Sequence, residues 1–238
     1  HKTLTVQSFD LTLNVIELGN PQADRTLILL HGLRDTPHAL EPSLQPFLDS
    51  GAYRILLPEL RGHGKSDWSV AYGMPNFLLD VHHIVEQLVT TPFALFGHSL
   101  GGHIAAKYAA LFPENVAALM LIEGLGPPVR PQDGSAEQTV LAYRDMLLTR
   151  FRSSSQRTLR DMETVVAKLQ HNNPRLAPEE AARIAPHLVE AKEEGFTWAF
   201  DSLASSVFTG TSTMENMTFW SQIKSATLIV SGSLSYEY

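Results

Sequence analysis

Short, mostly apolar runs without regular polar/apolar alternation recur along the chain, and they constrain its fold more than any other feature. They occupy residues 26–30, 53–57, 92–96, 116–122 and 226–230. A strand that is buried on both faces of a sheet has this pattern. Helical patterns separate the first four runs, at roughly residues 37–48, 75–89 and 100–112. Because strands that alternate with helices form parallel sheets, the sequence predicts a mostly parallel, doubly wound α/β sheet.

Two further segments complete the predicted organisation. Residues 3–6 and 11–17 flank a short turn and predict an antiparallel hairpin ahead of the parallel strands. Later in the chain, helical patterns replace the alternation, at about residues 136–152, 155–170, 178 onward and 214–223. No strand pattern interrupts them, so we expect a helical insertion over 127–223 on a core formed by 1–126 and 224–238. Such an insertion often serves as a lid.

Composition excludes several classes of protein and of site. The chain has no cysteine, which excludes disulfides, thiolate metal sites and a cysteine nucleophile. Its formal net charge of −7 gives no electrostatic reason to bind nucleic acid or an anionic membrane. The longest fully apolar stretch, residues 116–122, is far shorter than the ~20 residues of a membrane-spanning helix. The chain starts with neither Met nor an apolar signal region, so we expect a trimmed cytoplasmic protein.

A candidate nucleophile lies where the third apolar run meets the third helical pattern. Residues 97–101 read Gly-His-Ser-Leu-Gly, which matches G-x-S-x-G, with a strand predicted before it and a helix after it. Small neighbours such as Gly97 and Gly101 suit a sharp, strained turn that exposes a serine. The sequence therefore predicts a nucleophile elbow in which His98 precedes the nucleophile, Ser99.

Backbone N–H groups beside this serine are the candidate oxyanion hole. The run at 26–30 ends in His31-Gly32-Leu33, and in this arrangement the N–H of Leu33 joins the N–H of Leu100 at the developing negative charge. We expect His31 itself to be structural rather than catalytic.

The chain resembles the α/β-hydrolase family over essentially its whole length. The resemblance is carried by His31-Gly32, by Pro-Glu-Leu-Arg-Gly-His-Gly-Lys-Ser at 58–66, by the elbow and by Leu-Met-Leu-Ile-Glu at 119–123. Relatives usually have Asp at the position of Glu59. Dehalogenases and epoxide hydrolases of this fold carry Asp as nucleophile, so Ser99 implies acyl transfer to water from an ester, thioester or amide. Carboxylesterases, thioesterases, carbon–carbon bond hydrolases and peptidases all remain open.

The resemblance also indicates where the acid and the base belong. In most relatives the acid follows the strand at 226–230 as G-x-x-D, but residues 232–235 here read Gly-Ser-Leu-Ser. A minority carry it where Glu123 stands, so we predict Glu123 as the acid, with Glu237 as the next candidate. After Glu123 the only histidines are His171 and His187, both in the expected helical insertion. We therefore expect the catalytic histidine, with a last strand and helix, in roughly 40 to 50 residues beyond the chain's end.

A closer likeness lies in the insertion. Residues 173–180 and the Gly-Phe-Thr-Trp-Ala-Phe-Asp at 195–201 resemble the lids of serine-hydrolase-like proteins and of thioesterases that release polyketide chains with loss of carbon dioxide. Those thioesterases also carry Glu as the acid, but their sulfate-binding lid arginine would fall on Val207 here. The resemblance therefore implies only a broad acyl ester or thioester substrate. Trp198 and Phe200 are candidate substrate contacts, with a place in the lid core as the expected alternative.

A cluster of arginines raises the question of a phosphate-bearing partner. Its members are Arg144, Arg150, Arg152, Arg157 and Arg160. Asp145 and Asp161 are interspersed, so we expect a solvated helix face, and docking of an acyl-carrier phosphopantetheine or coenzyme A is the alternative. No His, Asp and Glu residues show metal-ligand spacing, so we expect no metal and no organic cofactor.

Two hypotheses of different classes follow. The leading one is a serine hydrolase that acts on an acyl ester or thioester through a Ser-His-Glu mechanism. The competing one is a degenerate hydrolase scaffold that binds a ligand without turnover, because no histidine is found where the base belongs. Fold alone does not decide between them.

Overall fold

The computed structural model describes residues 2–90, 92–125, 135–152, 158–209 and 213–233. Within these residues the strands are β1 (Lys2–Ser8), β2 (Leu11–Gly19), β3 (Arg25–Leu30), β4 (Tyr53–Pro58), β5 (Phe93–His98), β6 (Val116–Ile122), β7 (Val189–Lys192), β8 (Gly195–Trp198) and β9 (Ala226–Val230). The α-helices are α1 (Gln45–Ser50), α2 (Met74–Leu88), α3 (Leu100–Leu111), α4 (Ala136–Arg152), α5 (Met162–Asn172), α6 (Pro178–Ile184) and α7 (Thr213–Trp220).

The main sheet has the doubly wound architecture that the sequence predicts. Its strand order is β1-β2-β4-β3-β5-β6-β9. The strands from β4 to β9 in this order run parallel, while β2 is antiparallel to both β1 and β4. The predicted fold class and N-terminal hairpin are confirmed. Because β3, β5 and β6 lie side by side, the loops that leave their carboxyl ends meet at one edge of the sheet.

The central strand β3 shows why the apolar runs lack alternation. Leu27 and Leu29 pack into a cluster with α1, whereas Ile28 and Leu30 pack on the opposite face with α2 and α3. Successive side chains point to opposite faces of a strand, and here both faces are covered by helices. All four side chains are at most 2% exposed, so every position of the strand must be apolar.

One predicted helix has a different structure. The sequence predicts a helix over residues 37–48, but the chain there forms two 3-10 turns, Pro37–Ala39 and Glu41–Leu44, and then the short α1. Pro42 and Pro46 lack the N–H that an α-helix donates to the carbonyl four residues earlier. The carbonyl of His38 instead accepts from the guanidinium of Arg183, at 2.8 Å from its Nη1.

The stretch between β6 and β9, here called the insertion, is not purely helical. It contains α4 to α7, but β7 and β8 form an antiparallel hairpin that the sequence analysis did not predict. These four-residue strands, Val-Glu-Ala-Lys and Gly-Phe-Thr-Trp, carry no apolar run. The helix expected at 155–170 begins only at Met162, because Asp161 caps it by accepting the N–H of Thr164 at 2.8 Å.

The last strand, β9, brings its carboxyl end to the neighbourhood of β6. It pairs with β6 in parallel, and its five residues are exposed. In the described part of the chain, no helix has both the length and the hydrophobicity needed to cross a membrane.

A buried ion pair fixes the loop that follows β4, here called the His63 loop (residues 59–67). The guanidinium of Arg61 donates from Nε and Nη2 to the two carboxylate oxygens of Asp80 on α2, both at 2.6 Å. The hydroxyl of Ser8 on β1 donates to the same carboxylate at 2.6 Å. Arg61 and Asp80 are 4% and 2% exposed, so both charges depend on each other for compensation.

Replacing this carboxylate should destabilise the protein strongly. We expect Asp80→Asn to lower the free energy of unfolding by about 3–5 kcal/mol, because the Arg61 charge would stay buried without a counter-charge. Urea denaturation measures the loss, and the exposed Asp24 supplies a matched control, Asp24→Asn. A change in Asp80→Asn no larger than that of the control would contradict this account of the loop.

Candidate active site

The turn between β5 and α3, here called the Ser99 turn (residues 97–101), holds its serine in a strained conformation. Ser99 has φ 51° and ψ −118°. Such a conformation costs a non-glycine residue roughly 1–3 kcal/mol and persists only where the surroundings enforce it. The Ser99 N–H donates to the carbonyl of Ile122 at 2.9 Å, and its carbonyl accepts the N–H of His103 at 3.1 Å.

Two glycines of the G-x-S-x-G pattern are there because backbones approach closely. A Cβ atom on Gly97 would collide with the carbonyl of Gly101, and one on Gly101 would collide with the carbonyl of Leu30. Any larger residue at either position would push α3 away from β3 and open the Ser99 turn.

The loop after β3, here called the β3 loop (residues 31–36), packs directly against the Ser99 turn. A Cβ atom on Gly32 would lie 3.3 Å from Cβ of Ser99 and 3.2 Å from Nδ1 of His98. Leu33 follows at once, and Leu100 is the first residue of α3. The two predicted oxyanion donors therefore belong to segments that flank Ser99.

Two buried histidines make complementary hydrogen bonds around the β3 loop. His31 accepts the N–H of Leu60 at Nε2 (3.0 Å), and its Nδ1 lies 2.7 Å from the carbonyl oxygen of Gly32. His63 accepts the N–H of Arg34 at Nε2 (2.9 Å), and its Nδ1 lies 3.0 Å from the carbonyl oxygen of Arg61. Because each Nε2 accepts a backbone N–H, each Nδ1 must carry the proton and donate it.

Burial keeps both imidazoles neutral. It lowers the pKa of His31 to about 3, and it also lowers the pKa of His63. Their rings meet edge to face, with centroids 5.1 Å apart. The sequence analysis assigned no role to His63, because a histidine inside residues 58–66 carries no signal of the contact that it makes across the fold.

Glu123 lies at the end of β6, on the side of the Ser99 turn that faces β9. Its φ is 51°, and its N–H donates to the carbonyl of Val230 at 2.9 Å. Its Oε1 accepts the N–H of Gly232. The carboxylate is thus directed to the carboxyl end of β9. Glu237 lies outside the described residues.

His98 lies close to a carboxylate beside the serine. Its Nδ1 lies 3.6 Å from Oδ2 of Asp35 in the β3 loop, and both side chains are partly exposed. Asp35 also accepts the N–H of Thr36 at 2.8 Å. The residue before the serine therefore contacts the loop that carries Leu33, one of the two predicted oxyanion donors.

The two aromatic residues predicted as substrate contacts occupy different environments. Trp198 packs against a small apolar cluster inside the insertion that includes Leu159 and Val165. Phe200 stacks on Trp198, with ring centroids 5.3 Å apart, and forms an isolated β-bridge with His63. Phe200 is thus the one that contacts the His63 loop.

The described side chains of His171, His187, Arg144 and Arg160 are exposed. His171 is exposed, while His187 stacks on His38 with a centroid distance of 3.7 Å. Arg160 is exposed and paired with Asp161 at 2.7 Å. The side chains of Arg150, Arg152 and Arg157 lie outside the described set. Among the residues that the structure describes, no group of three or more His, Asp or Glu side chains could hold a metal ion.

The family model of the alpha/beta hydrolase fold matches residues 25–232. The chain belongs to this family. The match includes β3, the Ser99 turn, Glu123 and β9, so the candidate site lies within the part of the chain that matches the α/β-hydrolase family.

Individual relatives agree with this assignment. A serine hydrolase-like protein of Danio rerio is 31% identical over 113 residues, 46% of this chain and 34% of that protein. A 3-hydroxybutyrate-oligomer hydrolase of Cupriavidus necator is 28% identical over 161 residues, 66% of this chain and 52% of that protein. The chain thus spans about a third to a half of the length of these α/β hydrolases.

The solved structure of a thioesterase domain from the curacin biosynthetic pathway shares the fold. It superposes with a TM-score of 0.83 at 20% identity and covers 98% of this chain and 83% of that chain. Identity at this level shows the common α/β-hydrolase architecture.

The buried histidines should make this α/β hydrolase sensitive to acid. His103 on α3 is 1% exposed, lies 2.9 Å from Oδ1 of Asn216 through its Nε2, and has its pKa lowered by burial from 6.5 to about 4. The unfolded chain binds a proton that the folded chain does not, so stability should fall as pH decreases through that window. Each such histidine should contribute about 1.4 kcal/mol per pH unit.

A variant isolates the contribution of one histidine. Glutamine in His103→Gln can still donate to Asn216 but does not titrate. The free energy of unfolding, measured by urea denaturation at pH 7 and pH 5, should therefore depend less steeply on pH in this variant, by about one proton. Equal slopes in the two proteins would show that His103 does not stay neutral in the folded state.

Proposed function

We propose that this chain is part of a serine hydrolase that cleaves a small-molecule acyl ester or thioester through an acyl-enzyme. The observation that carries the proposal is the strained Ser99 turn, against which the β3 loop packs at Gly32. A protein that only binds a ligand gains nothing from a strained serine, and a substitution could relieve the strain. The strain at Ser99 therefore favours a catalytic role.

The first half-reaction is proposed to begin at the serine hydroxyl. Oγ of Ser99 attacks the acyl carbonyl carbon, and the carbonyl oxygen becomes an oxyanion that accepts the N–H groups of Leu33 and Leu100. Each of these donors should lower the barrier by about 3 kcal/mol. Collapse of the tetrahedral intermediate expels the alcohol or thiol and leaves the acyl group on Ser99.

Proton transfer requires an acid–base pair, and we assign its acid to Glu123. Its position at the end of β6, next to the nucleophile strand, and its contact with Gly232 support this assignment. We place the histidine that Glu123 orients after Tyr238, following the chain order of the family. That histidine takes the Ser99 proton, gives it to the leaving group, and then activates the water that releases the acyl group.

The proposed substrate class rests on the α/β-hydrolase family, and the choice between the two aromatic candidates rests on their contacts. We propose Phe200, which contacts the His63 loop, as a substrate contact before Trp198, which packs within the insertion. The described arginines lend no support to a coenzyme A or acyl-carrier partner, because Arg160 is exposed and paired with its neighbour Asp161. A free small-molecule ester or thioester is the substrate that we propose.

The nucleophile can be tested directly in the full-length protein. A fluorophosphonate should label the wild type and not Ser99→Ala, and hydrolysis of p-nitrophenyl acyl esters should fall by roughly 10⁴-fold or more in the variant. The exposed Ser50 offers a matched control, Ser50→Ala, that should be labelled like the wild type. Labelling of Ser99→Ala would show that the reactive nucleophile lies elsewhere, and a wild type that is neither labelled nor active would favour the ligand-binding scaffold instead.

A second variant tests the acid. Glu123→Gln keeps an oxygen that can accept the Gly232 N–H but removes the charge that holds the catalytic imidazolium. We expect kcat to fall by about 10³- to 10⁴-fold while the protein stays folded. The exposed Glu179 provides the control Glu179→Gln. If Glu123→Gln were as active as that control, the acid would lie elsewhere, with Glu237 the next residue to test.

A further inference from the structure

We propose that His63 is a positioning residue that holds the peptide carrying the Leu33 N–H in the orientation needed to bind the oxyanion. The inference rests on the proposed function for its catalytic meaning. It concerns a side chain in a different loop from both Ser99 and Leu33, and it assigns that side chain a task in the reaction.

Two peptide groups flank Leu33, and each of them is hydrogen-bonded to a buried histidine. The preceding group contains the Gly32 carbonyl and the Leu33 N–H, and Nδ1 of His31 donates to that carbonyl at 2.7 Å. The following group contains the Arg34 N–H, which donates to Nε2 of His63 at 2.9 Å. Because peptide groups are planar and these two are joined at the Leu33 Cα, holding the Arg34 N–H limits how far the preceding peptide, with its Leu33 N–H, can rotate.

The backbone at Arg34 has a conformation that the hydrogen bond to His63 supports. Arg34 has φ 57°, in the left-handed region, which a long side chain rarely adopts. Nε2 of His63 is the acceptor of the Arg34 N–H, and its loss would remove this hydrogen bond. The bond to His63 thus stabilises a conformation that the β3 loop would otherwise leave.

His63 is itself held rigidly. Its ring is 1% exposed, and its Nδ1 donates to the Arg61 carbonyl at 3.0 Å. Arg61 in turn is fixed by Asp80. An acceptor on so fixed a ring is preorganised, so the β3 loop is held in place before substrate arrives.

The insertion is hydrogen-bonded to the His63 loop on both sides of His63. The N–H of Gly64 donates to the carbonyl of Ala199 at 2.7 Å, and the N–H of Asp201 donates to the carbonyl of Gly62 at 2.8 Å. The hydroxyl of Tyr72 donates to the Asp201 carboxylate at 2.8 Å. His63 therefore lies where the insertion segment 199–201 and the β3 loop are both fastened to the His63 loop.

Two substitutions separate the hydrogen bonds of this histidine. The amide of His63→Gln reaches the position of Nε2, so its oxygen can still accept the Arg34 N–H. The amide of His63→Asn reaches only the position of Nδ1, so it can still donate to Arg61 but cannot accept from Arg34. A role limited to bonding Arg61 would make Asn the milder change, whereas our proposal makes it the more severe one, and faster exchange of the Arg34 amide is the result that a role limited to filling space would not predict.

Hydrogen exchange and kinetics of the full-length protein test the proposal together. In His63→Asn the Arg34 amide should exchange about ten-fold faster than in the wild type, and in His63→Gln it should stay close to the wild-type rate. With a p-nitrophenyl ester, kcat should fall roughly 10- to 100-fold in His63→Asn, with KM within about three-fold of the wild type. His63→Gln should recover most of this kcat.

The outcomes distinguish this inference from the proposed hydrolase function. An active wild type with His63→Asn equal to or better than His63→Gln in kcat would overturn the positioning role and leave the function intact. Unchanged Arg34 exchange in a folded His63→Asn would also overturn it, whatever the activity. A wild type without turnover or labelling would overturn the function, and with it the catalytic part of the role, even if the exchange result matched.

Discussion

Helix α3 begins so close to the ends of β3 and β6 that its first turn has no room for side chains at two positions. A Cβ atom on Gly102 would lie 2.6 Å from Cα of Gly124, and Gly101 is packed against the Leu30 carbonyl. This close approach forces the chain to turn sharply at Ser99, which keeps its positive φ because the segments on either side are fixed. The positions of the β3 loop, of α3 and of Glu123 all follow from this one constraint.

Buried polar groups near this close approach form a connected hydrogen-bond network. Ser8, Asp80 and Arg61 anchor the His63 loop, and His63 and His31 connect it to the β3 loop. A buried polar group is tolerated when its hydrogen bonds are made, and such networks favour one arrangement over many. Neutral imidazoles suit this place, since a charged ring would lose the acceptor atom that each backbone N–H requires.

The same network links the insertion to the edge of the sheet that carries Ser99. The insertion segment 199–201 is bonded to the His63 loop on both sides of His63, and Phe200 forms a bridge with that residue. The part of the chain most expected to contact substrate is thus fastened to the loop that supports the Leu33 peptide. Membership of the α/β-hydrolase family explains the shared fold, and these contacts show how the insertion is attached to that fold in this chain.

The sequence by itself determined the sheet and the serine turn. Runs such as 26–30 and 116–122 predicted β3 and β6 to within one residue, because a strand buried on both faces leaves no choice but apolar side chains. The glycine spacing around Ser99 predicted the sharp turn for an equally local reason. Pro42 and Pro46 broke the expected helix at 37–48 by removing N–H donors that an α-helix needs. Tertiary structure decided the rest: pairing with β7 made a strand of Gly195–Trp198. The contact of His63 with Arg34 also joins residues 29 positions apart, and no local pattern records a hydrogen bond that exists only once two loops are folded together.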